Sequence, residues 1–337
     1  MKTRVGLLAA LGAVIALSSF ASACGGDDDR LTIYAGRSQT LVQPLLEQFS
    51  KDTGIKISVK YGDGTELALG ILEEGKNSPA DVYYGQDVGA LGALKAEGRL
   101  TKLPDTILSR VDAAFRSPDG LWVGISGRQR VIVYNTDKIK PAALPSSVLG
   151  YTAAEWKGRI GIVPRSDGFP EFVTALRLTR GDDFARQWLR DLKANNPVSY
   201  ANNTAAIQAV ANGEVDVAFL NHYYLFRFLE ERGEGFKARN YYFTNGDIGG
   251  LFLVAGAAIL DTSKHKEDAQ RFLEYLLSPS AQKYFTENTH EYPLVAGVAA
   301  DPGLQPLSQI DPPEIDLSDL TDLEGSLEMM RQTGILP

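Results

Sequence analysis

Two adjacent phenols, Tyr223 and Tyr224, carry the sharpest chemical signal in this sequence. A phenolate is a hard anionic oxygen donor, and two of them suit a hard trivalent cation better than a sugar or an amino acid. The pair follows the apolar strand pattern Val215-Asp-Val-Ala-Phe-Leu220 and precedes the helix-like run Leu225-Phe-Arg-Phe-Leu229. Strand-to-helix junctions are where α/β proteins place ligands. The competing use is packing, with one ring in the core and the other at the surface. Three histidines in all (His222, His265, His290) are too few for a multi-histidine zinc centre. No phosphate-binding Gly-Lys loop, H-E-x-x-H or G-x-S-x-G motif is present, and no nucleophile-base pair stands out. Binding is therefore favoured over catalysis.

The elements that must position the phenols are legible in outline. Leu31-Thr-Ile-Tyr34 alternates as a strand and ends in Ala35-Gly36-Arg37-Ser38. Leu41, Val42, Leu45, Leu46 and Phe49 recur at helical spacing up to Gly54. A second strand, Ile55–Tyr61, a helix, Thr65–Glu74, and a buried strand tip, Asp81–Tyr84, complete a β-α-β-α-β run. Such a run implies a parallel sheet with covered faces. A second unit begins near Arg130-Val-Ile-Val-Tyr134, with a strand at Ile160–Val163 and the loop Pro164–Gly168. Phe184, Trp188, Leu189 and Leu192 are expected on the inner face of one helix. Thr204 is the expected cap of another, Ala205–Asn212, ended by Gly213. The apolar strand Gly249–Ile259 returns the chain to the first unit. In the tail, Leu323, Leu327, Met330 and Ile335 suffice for a docking helix.

The N-terminus has the pattern of an export signal: Lys2 and Arg4, the apolar Val5–Ile15, then Ala21-Ser22-Ala23 before Cys24. Cys24, the single cysteine, is followed by Gly25-Gly-Asp-Asp-Asp29, the layout of a bacterial lipoprotein with an acylated thiol and a short polar tether. An ordinary cleaved signal with a stray cysteine is the alternative. Removing residues 1–23 takes away two basic and no acidic residues, leaving 32 basic against 42 acidic side chains and a net charge of −10. That balance argues against a nucleic-acid partner, which would want a basic stripe.

Several further stretches carry a family resemblance, in order along the chain. They are Ile33-Tyr-Ala-Gly-Arg37, Thr53-Gly-Ile-Lys56, Ser78-Pro-Ala-Asp-Val-Tyr-Tyr84, Ser126-Gly-Arg-Gln-Arg130, Trp156-Lys-Gly-Arg-Ile-Gly161, Leu220-Asn-His-Tyr-Tyr224 and Glu291-Tyr-Pro-Leu294. Together they make the sequence similar to the bacterial ferric-ion-binding proteins, the extracytoplasmic receptors of iron(III) ABC importers. The resemblance implies an α/β, two-lobe periplasmic-binding-protein-like fold of type II, with the ligand cleft between lobes joined by crossing strands. It divides the chain into a signal (1–23), a lipidated cysteine and tether (24–30), a first lobe (31–128 with 252–304) and a second lobe (129–251 with 305–337).

By the same resemblance Tyr223 and Tyr224 match the two phenolate ligands of ferric iron, Fe(3+). Relatives add a histidine and a glutamate; here Ser38 and Gln86 stand in their places, with Gln86 kept as a candidate ligand and Ser38 as a cleft contact. Another branch adds a third tyrosine near Ser166-Asp-Gly-Phe169, and none is present there. Iron with two phenolates keeps one positive charge and wants more oxygen donors, which a synergistic anion such as carbonate or phosphate would supply. Arg37 and Arg128, with Arg130 at the cleft, would balance that anion through forked hydrogen bonds. The amides of Ser166, Asp167 and Gly168 at a helix start, with Asn203 and Asn221, complete the expected anion site. The expected partners are an ABC permease and, through Cys24, the lipid bilayer, with the receptor a monomer on the extracytoplasmic face of the membrane. The alternatives left open are a receptor for another anionic or small organic solute without metal, and an enzyme on the same fold.

Overall fold

A computed structural model describes residues 29–166 and 168–336. The expected signal 1–23, the lipidation site Cys24 and the anion-site residue Asp167 lie outside those residues. The described chain opens with β1 (Leu31–Gly36), α1 (Gln39–Thr53), β2 (Ile57–Tyr61), α2 (Gly64–Glu74) and β3 (Val82–Gly85). β1 pairs with both β2 and β3 in parallel, as the alternating pattern implies. Val42, Leu45, Leu46 and Phe49 form the buried face of α1, and Gly54 stops it in the left-handed region that glycine tolerates. Helices α3 (Gly89–Ala96) and α4 (Asp105–Leu108) follow.

The next strand, β4, runs from Val123 to Asn135 and is buried along its whole length. From Val123 to Gln129 it pairs with β9 (Phe252–Ile259), and from Arg130 onward with β7 (Val217–Asn221) and β8 (Ala238–Tyr241). One strand thus belongs to two halves of the molecule. The sequence pattern reveals only its end, Arg130–Tyr134, because Gly124, Gly127, Arg128 and Gln129 interrupt the apolar run. Gly127 is required by the close approach of Phe252, since a Cβ there would come 2.2 Å from the Phe252 ring.

Beyond β4 come β5 (Ile160–Ile162), α5 (Phe169–Arg180), α6 (Asp182–Ala194), β6 (Val198–Ser199) and α7 (Asn203–Asn212), then β7, α8 (Tyr224–Arg232), β8 and β9. The chain ends with α9 (Lys266–Leu276), α10 (Pro279–Thr289), β10 (Tyr292–Pro293) and α11 (Leu323–Gln332). The strand order is β2-β1-β3-β9-β4-β7-β5-β6, with β8 and β10 also on β4. β9 antiparallel to β3 and β4 is the expected return to the first half. Among the described residues no helix is long and apolar enough to cross a membrane.

Three local expectations change. α7 is capped by Asn202, whose Oδ1 accepts from the Ala205 amide at 2.9 Å, so Thr204 is already inside the helix. Phe184 is exposed, beneath the Arg180 guanidinium, because Ala185, Trp188, Leu189 and Leu192 take the buried i, i+3, i+4, i+7 stripe. The tail touches both halves instead of the second alone. Its residues Leu317–Asp319 lie against α3, with Trp122 donating to Ser318 Oγ, while α11 packs on α5 and α6.

Candidate metal centre

The C-terminal ends of β1, β3 and β7 and the middle of β4 converge where β4 changes partners. This convergence brings Arg37, Gln86, Arg128 and the tyrosine pair together, although they lie up to almost two hundred residues apart in sequence. Tyr223 and Tyr224 begin α8, where the positive end of a helix favours a negative oxygen. Their rings lie 4.3 Å apart at 30°. With Ser38, Gln86, Arg227 and Glu291 they line a cavity of about 250 Å³. A neighbouring cavity of about 500 Å³ shares Gly36, Ser38 and Gln86 and extends to Arg37, Asp87, Ser166 and Glu171. The larger space is lined by neither Tyr223 nor Tyr224.

Burial, the Tyr224 neighbour and Glu291 push the Tyr223 phenol well above its ordinary range, against the pull of Arg128. The phenol therefore keeps its proton until a cation replaces it. Among the described residues no three His, Cys, Asp or Glu side chains cluster as a metal site.

His222 is fully buried, and both ring nitrogens are occupied. Nδ1 accepts from the Gln129 amide at 3.0 Å, which leaves Nε2 to donate to the His290 carbonyl at 2.8 Å. It ties β7 to β4 and to the turn before β10, just ahead of the phenols. Burial pushes His222 down from 6.5 to about 4. Between those values the unfolded chain binds the proton that the folded chain refuses. Its stabilising contribution is thus complete above pH 6.5 and lost as pH falls toward 4, a loss approaching about 3 kcal/mol. The urea midpoint should drop between pH 7 and pH 4.5, and drop less in His222→Asn, which keeps the acceptor for Gln129. Equal drops in both proteins would remove His222 from this account.

The arginines are held by the protein's own carboxylates. Arg37 forms a fork with Glu291, at 3.0 and 2.7 Å, and its Nη1 also donates to Gln86 Oε1 at 2.5 Å. Ser126 and Thr289 donate to the same Glu291 carboxylate. Burial works to keep Glu291 neutral, but the Arg37 charge wins and holds it below the usual carboxylate range. Arg128 donates to the Gln86 carbonyl at 2.6 Å and pairs with Asp87. Gln86 is thus gripped by two guanidinium groups, one on its side chain and one on its backbone. An amide oxygen already facing a buried cation is a poor donor to a trivalent metal, which would meet Arg37 as a like charge.

Two amides of the expected anion loop are also taken. The Ser166 amide donates to the Val163 carbonyl at 3.1 Å, and the Gly168 amide to Glu171 Oε2 at 2.7 Å. The Gly168 amide is taken by Glu171, which reaches back from the first turn of α5, and the Ser166 amide by the turn at Val163. Gly168 has φ +97°, and a Cβ there would come 2.9 Å from Asn221 Oδ1, so glycine is needed. Arg130 donates to that Asn221 oxygen at 3.2 Å, and burial lowers Arg130 to about 10. Asn203 Oδ1 lies 3.5 Å from Ser166 Oγ. The sequence reading missed Asp87, Glu171 and Glu291. The signal for Glu291 is a lone charge beside Tyr292-Pro-Leu294, which needs a partner once buried.

Residues 34–283 match the family model of the bacterial extracellular solute-binding proteins. The chain is 35% identical over 311 residues to the major ferric iron-binding protein of Neisseria meningitidis serogroup A, covering 90% of this chain and 93% of that protein. Iron-bound HitA from Pseudomonas aeruginosa superposes with a TM-score of 0.82 at 39% identity, over 90% of this chain and 99% of that one. The Trichodesmium protein IdiA (FutA), solved in complex with iron and citrate, gives a TM-score of 0.80 at 32% identity, over 90% and 99% of the two chains. With two halves sharing β4, the molecule has the bilobed type II periplasmic-binding-protein architecture. The chain belongs to the bacterial extracellular solute-binding proteins, among the ferric-ion-binding receptors of that family.

Proposed function

We propose that this protein captures ferric iron outside the cytoplasm through Tyr223 and Tyr224 and delivers it to an ABC importer; it is not an enzyme. The observation that carries this reading is the phenol pair at the start of α8, on a cavity that Ser38 and Gln86 also line. Iron binding replaces both phenol protons and cancels two of the three charges. The remaining coordination sites are filled by oxygens the protein does not supply, from carbonate, phosphate or another synergistic anion. Ser38 and Gln86 line that space without acting as ligands.

In the state described here, Glu291, Asp87 and Glu171 occupy the partners that such an anion would use: Arg37, Arg128 and the Gly168 amide. An incoming anion competes with these carboxylates. Arg128→Gln should therefore weaken iron retention more than folding, and should blunt the gain from added bicarbonate or phosphate. Identical iron titrations of both proteins with and without those anions would rule this role out. Residues 31–128 with 252–304 and residues 129–251 with 305–337 are the two lobes in this reading, with the tail strapped across both. Cys24 anchors the receptor to the extracytoplasmic face of the membrane, close to its permease, and the receptor works as a monomer.

A receptor for another anionic solute without metal is the second reading, favoured by Arg37 and Arg128 beside the cleft. Added ferric iron separates the two. A ferric-phenolate centre absorbs visible light and saturates at one iron per chain, whereas an anion receptor stays colourless.

A further inference from the structure

Opposite the cleft, at the N-terminal end of β1, lies a cavity of about 710 Å³ unlike the rest of this acidic chain. Arg30, Lys60, Lys76, Lys264 and His265 line it. The carboxylates that face it are already engaged. Asp81 is buried and held by Ser263, His265 and the Thr32 amide; Glu74 takes hydrogen bonds from Tyr34 and Ser78 and lies 3.7 Å from Lys60. Arg30, Lys60, Lys76 and Lys264 are exposed. Lys56 adds a further exposed cation at the same pole, 4.0 Å from Asp29. Arg30, Lys56, Lys60, Lys76 and Lys264 outnumber Asp29, Glu74 and Asp81 at this pole, and that local excess in a chain of net charge −8 marks a surface for anions.

We infer that this basic pole binds the phosphate groups of anionic lipids and sets the receptor on the membrane with its cleft turned outward. The place where the chain leaves the described fold identifies the occupant. Arg30 is in the pocket wall, and Cys24 lies six residues before it, within about 20 Å even for a fully extended tether. The inference rests on the lipid-anchor reading of Cys24, because an anchored cysteine cannot hold this pole far from the headgroups. β1 then runs from the pole at Leu31 to the cleft at Gly36, about 17 Å away. Contact at one end leaves the other open to the medium while the receptor waits for iron.

The test uses the full lipidated protein in phosphatidylcholine vesicles with and without phosphatidylglycerol. Acetylation of single lysines by an amine-reactive reagent is read by mass spectrometry. Intact mass establishes beforehand whether Cys24 carries lipid, so failure of the anchor is seen separately. Labelling of Lys76 and Lys264 should fall several-fold on the anionic vesicles alone, with exposed Lys157 on the other half unchanged. The Cys24→Ser chain should float with anionic vesicles only weakly. That binding should fall on the order of 100-fold when Lys60, Lys76 and Lys264 are all changed to Gln. Iron titration of the triple variant checks that the fold is intact. Equal labelling on both vesicle types would overturn the proposal. Protection already complete without vesicles, or produced by inorganic phosphate, would do so too, by making the tether aspartates or a free anion the occupant.

Discussion

Replacing Tyr223 and Tyr224 together by Phe should abolish the visible ferric-phenolate band and weaken iron binding by well over a hundredfold. The reference is outer-shell substitution at metal sites, which costs about 10–100-fold; here both proposed ligands are themselves removed. Folding should change little, because Phe keeps both rings and neither substitution opens a cavity. Tyr223 alone should be the more damaging position, since it is the more buried and feels the charges of Arg128 and Glu291. Iron titration beside urea unfolding checks both halves of the expectation. A double variant that keeps one iron per chain with unchanged colour would contradict it.

Glu291→Ala should be among the most destabilising single changes in the chain. The side chains of Glu291 and Arg37 are only 4% and 1% exposed, so removing the carboxylate leaves a guanidinium buried and unpaired. Breaking a buried pair in this way costs about 3–5 kcal/mol, whereas replacing both partners by apolar residues is often nearly neutral. Pairing Glu291→Leu with Arg37→Leu should therefore recover much of the loss. The pair also orients Gln86, so the loss should spread to the cleft wall facing the phenols. Urea unfolding of the single and double variants measures the coupling, and a Glu291→Ala cost below about 1 kcal/mol would remove the pair from the stability account.

The sequence shows most clearly what repeats. The alternation around β1 to β3, the α1 face and the glycine stops at Gly54 and Gly213 are local patterns with local causes, and they reappear in the structure. β4 was legible only at its end because its middle is made of buried polar residues whose partners come from distant segments. Arg37 and Glu291 are 254 residues apart, and no period in the sequence links them. The tyrosine pair stood out because adjacent phenols are chemically unusual, and its strand-to-helix setting was correct. The state of the arginines was not legible at all. A sequence displays a cation without showing that Asp87 or Glu291 will reach it first. The Ser166–Gly168 loop shows the same limit, since Glu171 reads as an ordinary helix-start residue until its carboxylate is seen on the Gly168 amide.

The most direct test of the central claim is a crystal structure of the iron-loaded protein, with the metal located by anomalous scattering at the iron edge. The expected result is a single peak bonded to the phenolate oxygens of both Tyr223 and Tyr224. Its remaining sites should be filled by oxygens from outside the chain, with Gln86 and Glu291 unbound to the metal. A peak away from the phenols, or one coordinated by Gln86, Asp87 or Glu291 in their place, would contradict it.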